Sequence, residues 1–255
     1  MENNIDKTNL SSGSRTENEK IEPLKVGEIF DRVNQPSHEK LDNFPKYIRK
    51  QSLTRLLALY EIFKLTLKVK GSIIECGVNN GFGLFSWAKF SSILEPNNLT
   101  RRIYGFDSFS GFPSISAKDK SPNSDHIKKG DLSSNSYEEL LQLISIYDST
   151  RFIGHVEKVK LIKGDAIKTI PEFVEQNPHT LVSLLFLDFD LYEPTKVALD
   201  TFLPRMPGGS IIAFDELDNP LWPGETLAML DFLQKYGFKL SRFEFDPYIS
   251  YAILK

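Results

Sequence analysis

The sequence predicts an α/β fold: a mostly parallel, seven-stranded sheet with helices on both faces, preceded by an N-terminal helical extension. Three observations lead there. From Gly71 onward, short apolar runs alternate with stretches of helical periodicity, the βαβ rhythm of a parallel sheet. The runs Leu184-Leu185-Phe186-Leu187 and Ile211-Ile212-Ala213-Phe214 are apolar throughout, as strands covered on both faces require. Both end abruptly in paired acids, Asp188 with Asp190 and Asp215 with Glu216, as expected where parallel strands deliver polar groups to the carboxyl edge of a sheet.

Taken in order, residues 1–20 are Asn, Ser, Thr, Glu and Lys with almost nothing apolar, which predicts a disordered tail. Residues 21–70 form the extension. Within it Leu53, Leu56, Leu57, Tyr60 and Phe63 recur at helical spacing, predicting a helix over about 42–68 that packs on the main domain. Residues 71–255 form that domain. Strands are predicted at 72–76, 102–106, 159–162, 181–187 and 210–214, alternating with helices at 82–93, 137–147, 166–174, 195–203 and 226–236. A closing pair of strands follows at 239–245 and 249–254. Residues 112–136 interrupt the rhythm; a polar, aperiodic loop of that length beyond a strand's carboxyl end reads as a lid.

Composition narrows the function. A net charge of −3 gives no reason to expect nucleic acid or an anionic membrane as partner. The lone cysteine, Cys76, excludes an intramolecular disulfide and a Cys-rich zinc site, so a reducing, cytoplasmic setting is expected. No apolar run approaches the ~20 residues that span a bilayer, and the start of the chain lacks the basic and apolar segments of a signal peptide.

Each predicted strand ends in residues that carry chemistry. Glu75-Cys76-Gly77-Val78-Asn79-Asn80-Gly81 sets glycines between a strand and a helix, where backbone approaches a ligand closely. The spacing is not the dinucleotide fingerprint, and a tight turn needing positive φ explains it nearly as well. Asp107 closes the second strand, placed to accept hydrogen bonds from ribose hydroxyls, and Gly164-Asp165-Ala166 closes the third. If Asp188, Asp190, Asp215 and Glu216 share one crevice, their repulsion calls for a hard divalent cation, Mg²⁺ or Ca²⁺; the competing reading is that they cap strands and helix N-termini. None of the four histidines has metal-ligand spacing. His126, in the lid, is the one placed to bring a base to a bound hydroxyl. Trp222 reads equally as a sugar-stacking platform or a core anchor.

Four blocks together are similar to the macrocin O-methyltransferase family: Ile74-Glu75-Cys76-Gly77 with Gly81; Tyr104-Gly105-Phe106-Asp107-Ser108-Phe109-Ser110-Gly111-Phe112-Pro113; Lys163-Gly164-Asp165 with Ile170-Pro171; and Leu187-Asp188-Phe189-Asp190-Leu191-Tyr192-Glu193-Pro194-Thr195. The resemblance covers about residues 50–235. It implies the Rossmann-like class I methyltransferase fold and a sugar O-methyltransferase that depends on S-adenosylmethionine and Mg²⁺. It further implies that Glu75, Gly77, Gly81, Asp107, Ser108 and Phe109 hold the methionine and ribose of the cofactor, with Asp165 and Ala166 near its adenine. Asp188 borders both sites. One of Asp188 and Asp190, with Asp215 and Glu216, is implied to hold the metal.

The chain departs from the family in having Asp215-Glu216 where Asp-Asp is usual, and in the segment Asn219-Pro220-Leu221-Trp222-Pro223-Gly224-Glu225-Thr226, which resembles a subgroup. Asp190 and His126 are the candidates for the base. The expected acceptor is a small molecule: a nucleotide-linked deoxysugar, a glycan precursor or a glycosylated natural product. The oligomeric state stays open, a homo-oligomer included. The competing functions are a noncatalytic carbohydrate- or nucleotide-binding module on the same fold and a metal-dependent hydrolase.

Overall fold

The structure is a computed structural model that describes residues 16–122, 127–237 and 239–255. Contacts divide the chain into two units, residues 1–57 and 58–255. The first contains α1 (Glu17–Arg32), α2 (Ser37–Asp42) and the start of α3 (Lys50–Thr66). Residues 17–20, expected in a tail, open α1. Thr16 and Glu19 form a reciprocal capping box, and Lys20 pairs with Glu17 at 2.8 Å, so local devices supply what burial does not. Residues 1–15 lie outside the described part. The single helix expected over 42–68 is broken. α2 stops at Asp42, a 3₁₀ turn carries Pro45, and α3 starts only at Lys50. Phe30 and Tyr47 meet edge to face at 4.9 Å, and the Lys40 ammonium lies 4.7 Å over the Phe30 ring.

The second unit alternates strand and helix: β1 (Ser72–Cys76), α4 (Phe82–Leu94), β2 (Ile103–Asp107), α5 (Tyr137–Thr150), β3 (Val159–Lys163), α6 (Ala166–Gln176), β4 (Val182–Leu187), α7 (Tyr192–Phe202), β5 (Ile211–Phe214) and α8 (Pro223–Tyr236). β6 (Ser241–Arg242) and β7 (Ser250–Ile253) close the sheet. The seven strands lie in the order β3-β2-β1-β4-β5-β7-β6. All pairs are parallel except those made by β7, which runs antiparallel to β5 and β6. β1, β4 and β5 are buried at every residue, which is why their sequences are apolar runs without alternation. Phe106, Phe173 and Phe202 anchor one layer of the core with Leu185, Leu199 and Phe232. The expected strand over 239–245 is reduced to two residues.

Register aligns the carboxyl edge. Cys76 is level with Phe106 on one side and Leu187 on the other, and Leu187 is level with Phe214. The ladder runs one residue past each strand: Gly164 N–H donates to Asp107, Gly77 to Phe106, Asp188 to Cys76 and Asp215 to Leu187, all at 2.8–2.9 Å. Asp107, Gly77, Asp188 and Asp215 therefore stand in one row. The chain leaves β1 toward β2 and β3, then returns across β1 to β4 and β5. That reversal opens a crevice at Gly77, the topological switch point where α/β sheets bind ligands.

Candidate active site

Gly77 has φ +92°, and a Cβ there would strike the backbone carbonyl of Asp188, so only glycine lets β1 and β4 approach at this point. The turn that follows is organised by Asp107. Its Oδ2 accepts from the Val78 and Asn79 N–H groups at 2.8 Å, and its Oδ1 accepts from Phe109 N–H at 2.6 Å. Gly81, at φ +82°, then starts α4 beneath Leu140. The cleft above this turn has an empty volume of about 770 Å³, its open mouth included.

Of the residues implied to hold the cofactor, Gly77, Asp107, Ser108, Asp165, Ala166 and Asp188 line this cleft; Glu75, Gly81 and Phe109 stand behind it. Glu75 is buried in β1 with its carboxylate under Gly83, where a Cβ would crowd it. Phe109 adopts φ +56° and turns its ring into the interior against Tyr137 at 5.1 Å. Asp165 caps α6 by accepting from Ile167 N–H at 3.1 Å. Capping and lining are thus done by one side chain. Sequence reasoning missed Asn79 and Ile167 as lining residues; both sit within two positions of named ones, and nothing in their type marks them.

The segment over 112–136 contributes Phe112, Pro113, Ser114 and Leu132 to the same cleft. It is fastened. Phe112 exchanges backbone hydrogen bonds with Gly130 and Asp131 at 3.0 and 3.1 Å. Asp119, 2% exposed, accepts from the Tyr192 N–H at 2.6 Å and thereby caps α7 from this segment. Phe112 and Ile127 bury themselves with Leu191 and Trp222, and the Phe112 and Trp222 rings meet at 5.5 Å. Trp222 is accordingly a core anchor, 4% exposed, and not a stacking platform. At the far end, Ser134 and Ser136 donate to the Asn79 carbonyl, tying the segment to the turn after β1. His126 lies outside the described residues, and His38, His155 and His179 are exposed.

The acids beyond β4 and β5 have a different environment. Asp188 and Asp190 line the cleft; Asp215 and Glu216 do not. Asp190 has φ +61°, a left-handed conformation costing on the order of 1–3 kcal/mol that a surrounding structure must impose. Behind it lies a residue the sequence reading passed over: Glu225, 1% exposed in the first turn of α8. Burial, then the charges of Asp190 and Asp215, raise its carboxyl well above the ordinary range, against a hydrogen bond from the Glu216 backbone. Burial, then the charges of Glu75 and Glu225, push the Cys76 thiol up. An acid in the first turn of a helix is so common that its position carried no signal.

All-oxygen donors suit Mg²⁺, and the buried Glu225 Oε1 has no hydrogen-bond partner. The side chains are not drawn around one point, however: among the described residues no group of three or more His, Cys, Asp or Glu is placed to hold a metal. The convergence of Asp188, Asp190, Asp215 and Glu216 on an ion is therefore a proposal, taken up below.

Strand order, switch-point glycine and acid-lined crevice define a class I methyltransferase. The model of the macrocin O-methyltransferase family matches residues 48–247, and the chain belongs to that family. It is an S-adenosylmethionine-dependent O-methyltransferase. Among solved structures it is similar to CalS11, a calicheamicin methyltransferase, at 33% identity over 94% of this chain and 93% of that one, with a TM-score of 0.89. An apo structure of CalS11, described as a TDP-rhamnose 3'-O-methyltransferase of calicheamicin biosynthesis, matches at 31% identity over 94% and 95%, TM-score 0.81. The O-methyltransferase NovP, 20% identical over 80% of each chain with a TM-score of 0.61, shares the fold. A search of curated proteins finds no match. Among the described residues no helix is long and apolar enough to cross a membrane.

Proposed function

We propose that the protein methylates a sugar hydroxyl, that its acceptor is a deoxysugar carried on a nucleotide, and that the reaction requires Mg²⁺. The observation that carries the reading is the division of the cleft. One side is backbone held open by acids already bonded to it, and on the other Asp188 and Asp190 line the cleft at the end of β4. Membership of the family and the similarity to CalS11 support the sugar acceptor.

Gly77 and Asn79, with Asp107 and Ser108, take the methionine and ribose of S-adenosylmethionine; Asp165, Ala166 and Ile167 take its adenine. Glu75, Gly81 and Phe109 act from behind by shaping that turn. When bound, S-adenosylmethionine supplies an electrophilic methyl on a sulfonium. Asp215, Glu216 and one of Asp188 and Asp190 would hold Mg²⁺, which would supply Lewis-acid chemistry toward an acceptor hydroxyl. Asp190 accepts that hydroxyl's proton as the new O–C bond forms and the S–C bond breaks. Asp190 lines the cleft from a left-handed backbone that the surrounding structure must hold, which supports this role. His126 is the other candidate base.

A screen of nucleotide-linked deoxysugars, TDP-rhamnose among them, with isotopically labelled methyl donor tests the proposal. Label should appear on at least one such sugar in Mg²⁺ and on none in excess chelator. Tight donor binding with no transfer to any sugar would favour a noncatalytic binding module.

A further inference from the structure

A second cavity, with an empty volume of about 530 Å³, its open mouth included, lies at the amino edge of the sheet, away from the row at the switch point. Its walls come from the carboxyl ends of α4 and α5 and from the residue that leads into β3: Glu95 and Pro96, Tyr147, Arg151 and Phe152, and Lys158. The methylation chemistry makes no use of it. Most polar groups on and behind these walls are already bonded within the protein. The Arg101 guanidinium, 3% exposed, pairs with Glu95 at 2.8 Å and gives its other donors to Ser183 and to the carbonyls of Thr66, Val69 and Gly71. Arg151 pairs with Asp148 at 2.7 Å and gives its other nitrogens to the carbonyls of Phe152, Ile153 and Val156. The Tyr147 hydroxyl donates to the Ala88 carbonyl at 2.7 Å.

Lys158 is the exception. It is 5% exposed and its ammonium carries three N–H donors, yet among the described residues one acceptor meets it, the Asn98 carbonyl at 2.9 Å. Among the described residues no carboxylate forms an ion pair with it, because Glu95 is engaged by Arg101 and Asp148 by Arg151. The carbonyl ends of α4 and α5 bring partial negative charge to this edge. Burial nevertheless lowers the ammonium's pKa to about 8, with Glu95 opposing and the guanidiniums of Arg101, Arg151 and Arg102 adding to the effect. A buried cation with two donors unused is costly to leave without an anionic partner.

We propose that this cavity is a second small-molecule site and takes an organic monocarboxylate, whose head group accepts the two remaining Lys158 N–H donors while its apolar body lies against Pro96 and Phe152. Charge sets the class of ligand. Each guanidinium already has its own carboxylate, so Lys158 is the one cation left to match. A monoanion matches it; a dianion such as phosphate would bring a second charge to a wall that already carries Glu95. Phe152, 65% exposed, offers an aromatic face to the ligand's apolar part. The inference stands apart from the sugar and metal readings above.

The test is calorimetric titration of the full chain at pH 7 with benzoate and, separately, with inorganic phosphate. Benzoate should bind with a dissociation constant of about 1 mM or tighter, within what a ligand of its size can supply, and should raise the melting temperature. Phosphate should bind more weakly. Lys158→Met should weaken benzoate by at least about tenfold, the scale for losing a charged hydrogen-bond partner, and should abolish the benzoate-dependent rise in melting temperature. Phe152→Ala, at an exposed position, should weaken benzoate about threefold through lost aromatic contact and covers the case in which Lys158→Met does not fold. Equal benzoate affinity in wild type and a folded Lys158→Met would overturn the inference by placing the ligand elsewhere. So would phosphate binding more tightly than benzoate, or wild-type protein that binds no benzoate.

Discussion

The two halves of the sheet's carboxyl edge carry the same residue types and use them in opposite ways. At β1 to β3, Asp107 accepts three backbone N–H groups and Asp165 one, so these carboxylates hold loops in shape. At β4 and β5, burial and then the charges of Asp190 and Asp215 hold the carboxyl of Glu225 well above the ordinary range, and its Oε1 has no hydrogen-bond partner. An acid satisfied by backbone builds a rigid surface; acids facing acids build a demand for positive charge. In the proposed function the first half serves the cofactor and the second the cation and the reacting hydroxyl.

The largest effect should come from Asp190. Asparagine tolerates φ near +61°, so Asp190→Asn preserves backbone and shape while removing the charge. Its kcat should fall by about 10²–10⁴, the range for loss of a general base, with S-adenosylhomocysteine affinity within a few-fold of wild type. Steady-state kinetics and calorimetry check this. A kcat near wild type would hand the base to another residue.

Next in size is Asp107→Ala, which orphans three N–H groups of the cofactor turn. Cofactor binding should weaken by about 1.5–3 kcal/mol, the cost of losing hydrogen bonds to a charged group, and the melting temperature should drop as well. A lower melting temperature with unchanged cofactor affinity would make Asp107 a strut and nothing more. Asp119→Asn asks the same question of the segment that begins at Phe112. Losing a charge-assisted cap on α7 should cost about 1–2 kcal/mol and quicken amide exchange at Phe112 and Gly130. Unchanged exchange there would show that the apolar cluster with Trp222 fastens the segment unaided.

The smallest expected effect concerns a buried cation at the opposite end of β3. Burial lowers the Lys158 pKa to about 8, Glu95 offsetting it only in part, and its ammonium donates to the Asn98 carbonyl at 2.9 Å. Its unfolded value is near 10.4. Between about pH 8 and 10.4 the unfolded chain binds more protons at this site than the folded one, so this lysine makes stability rise with pH across that window. Below pH 8 both states are charged and the burial cost is fully present. Lys158→Met should therefore stabilise the fold near pH 7, by on the order of 1 kcal/mol once solvent screening is allowed for, and flatten the alkaline rise. Melting curves from pH 7 to 10 that superimpose for both proteins would contradict this.

Much of this was legible in the sequence because buried strands announce themselves. The apolar runs ending at Cys76, Leu187 and Phe214 located the central strands, and the acids after them located the row at the switch point. What stayed hidden depended on contacts distant in sequence. That Asp107 serves residues 78 and 79, that Asp119 caps α7, and that Trp222 is buried against Phe112 follow from tertiary packing. Glu225 was hidden for another reason: an acid in a first helical turn looks ordinary until its surroundings are known. The early helix was misjudged at Glu17–Lys20 and at Pro45, where a local cap and a local break outweighed average composition.

Calorimetric titration of Mg²⁺ into protein already saturated with S-adenosylhomocysteine tests the division of the edge most directly. The account predicts one ion bound per chain with the nucleoside still in place, and loss of that binding when Asp190 and Asp215 are both changed to Asn. No ion bound to the wild-type protein, or an ion that expels the nucleoside, would contradict it.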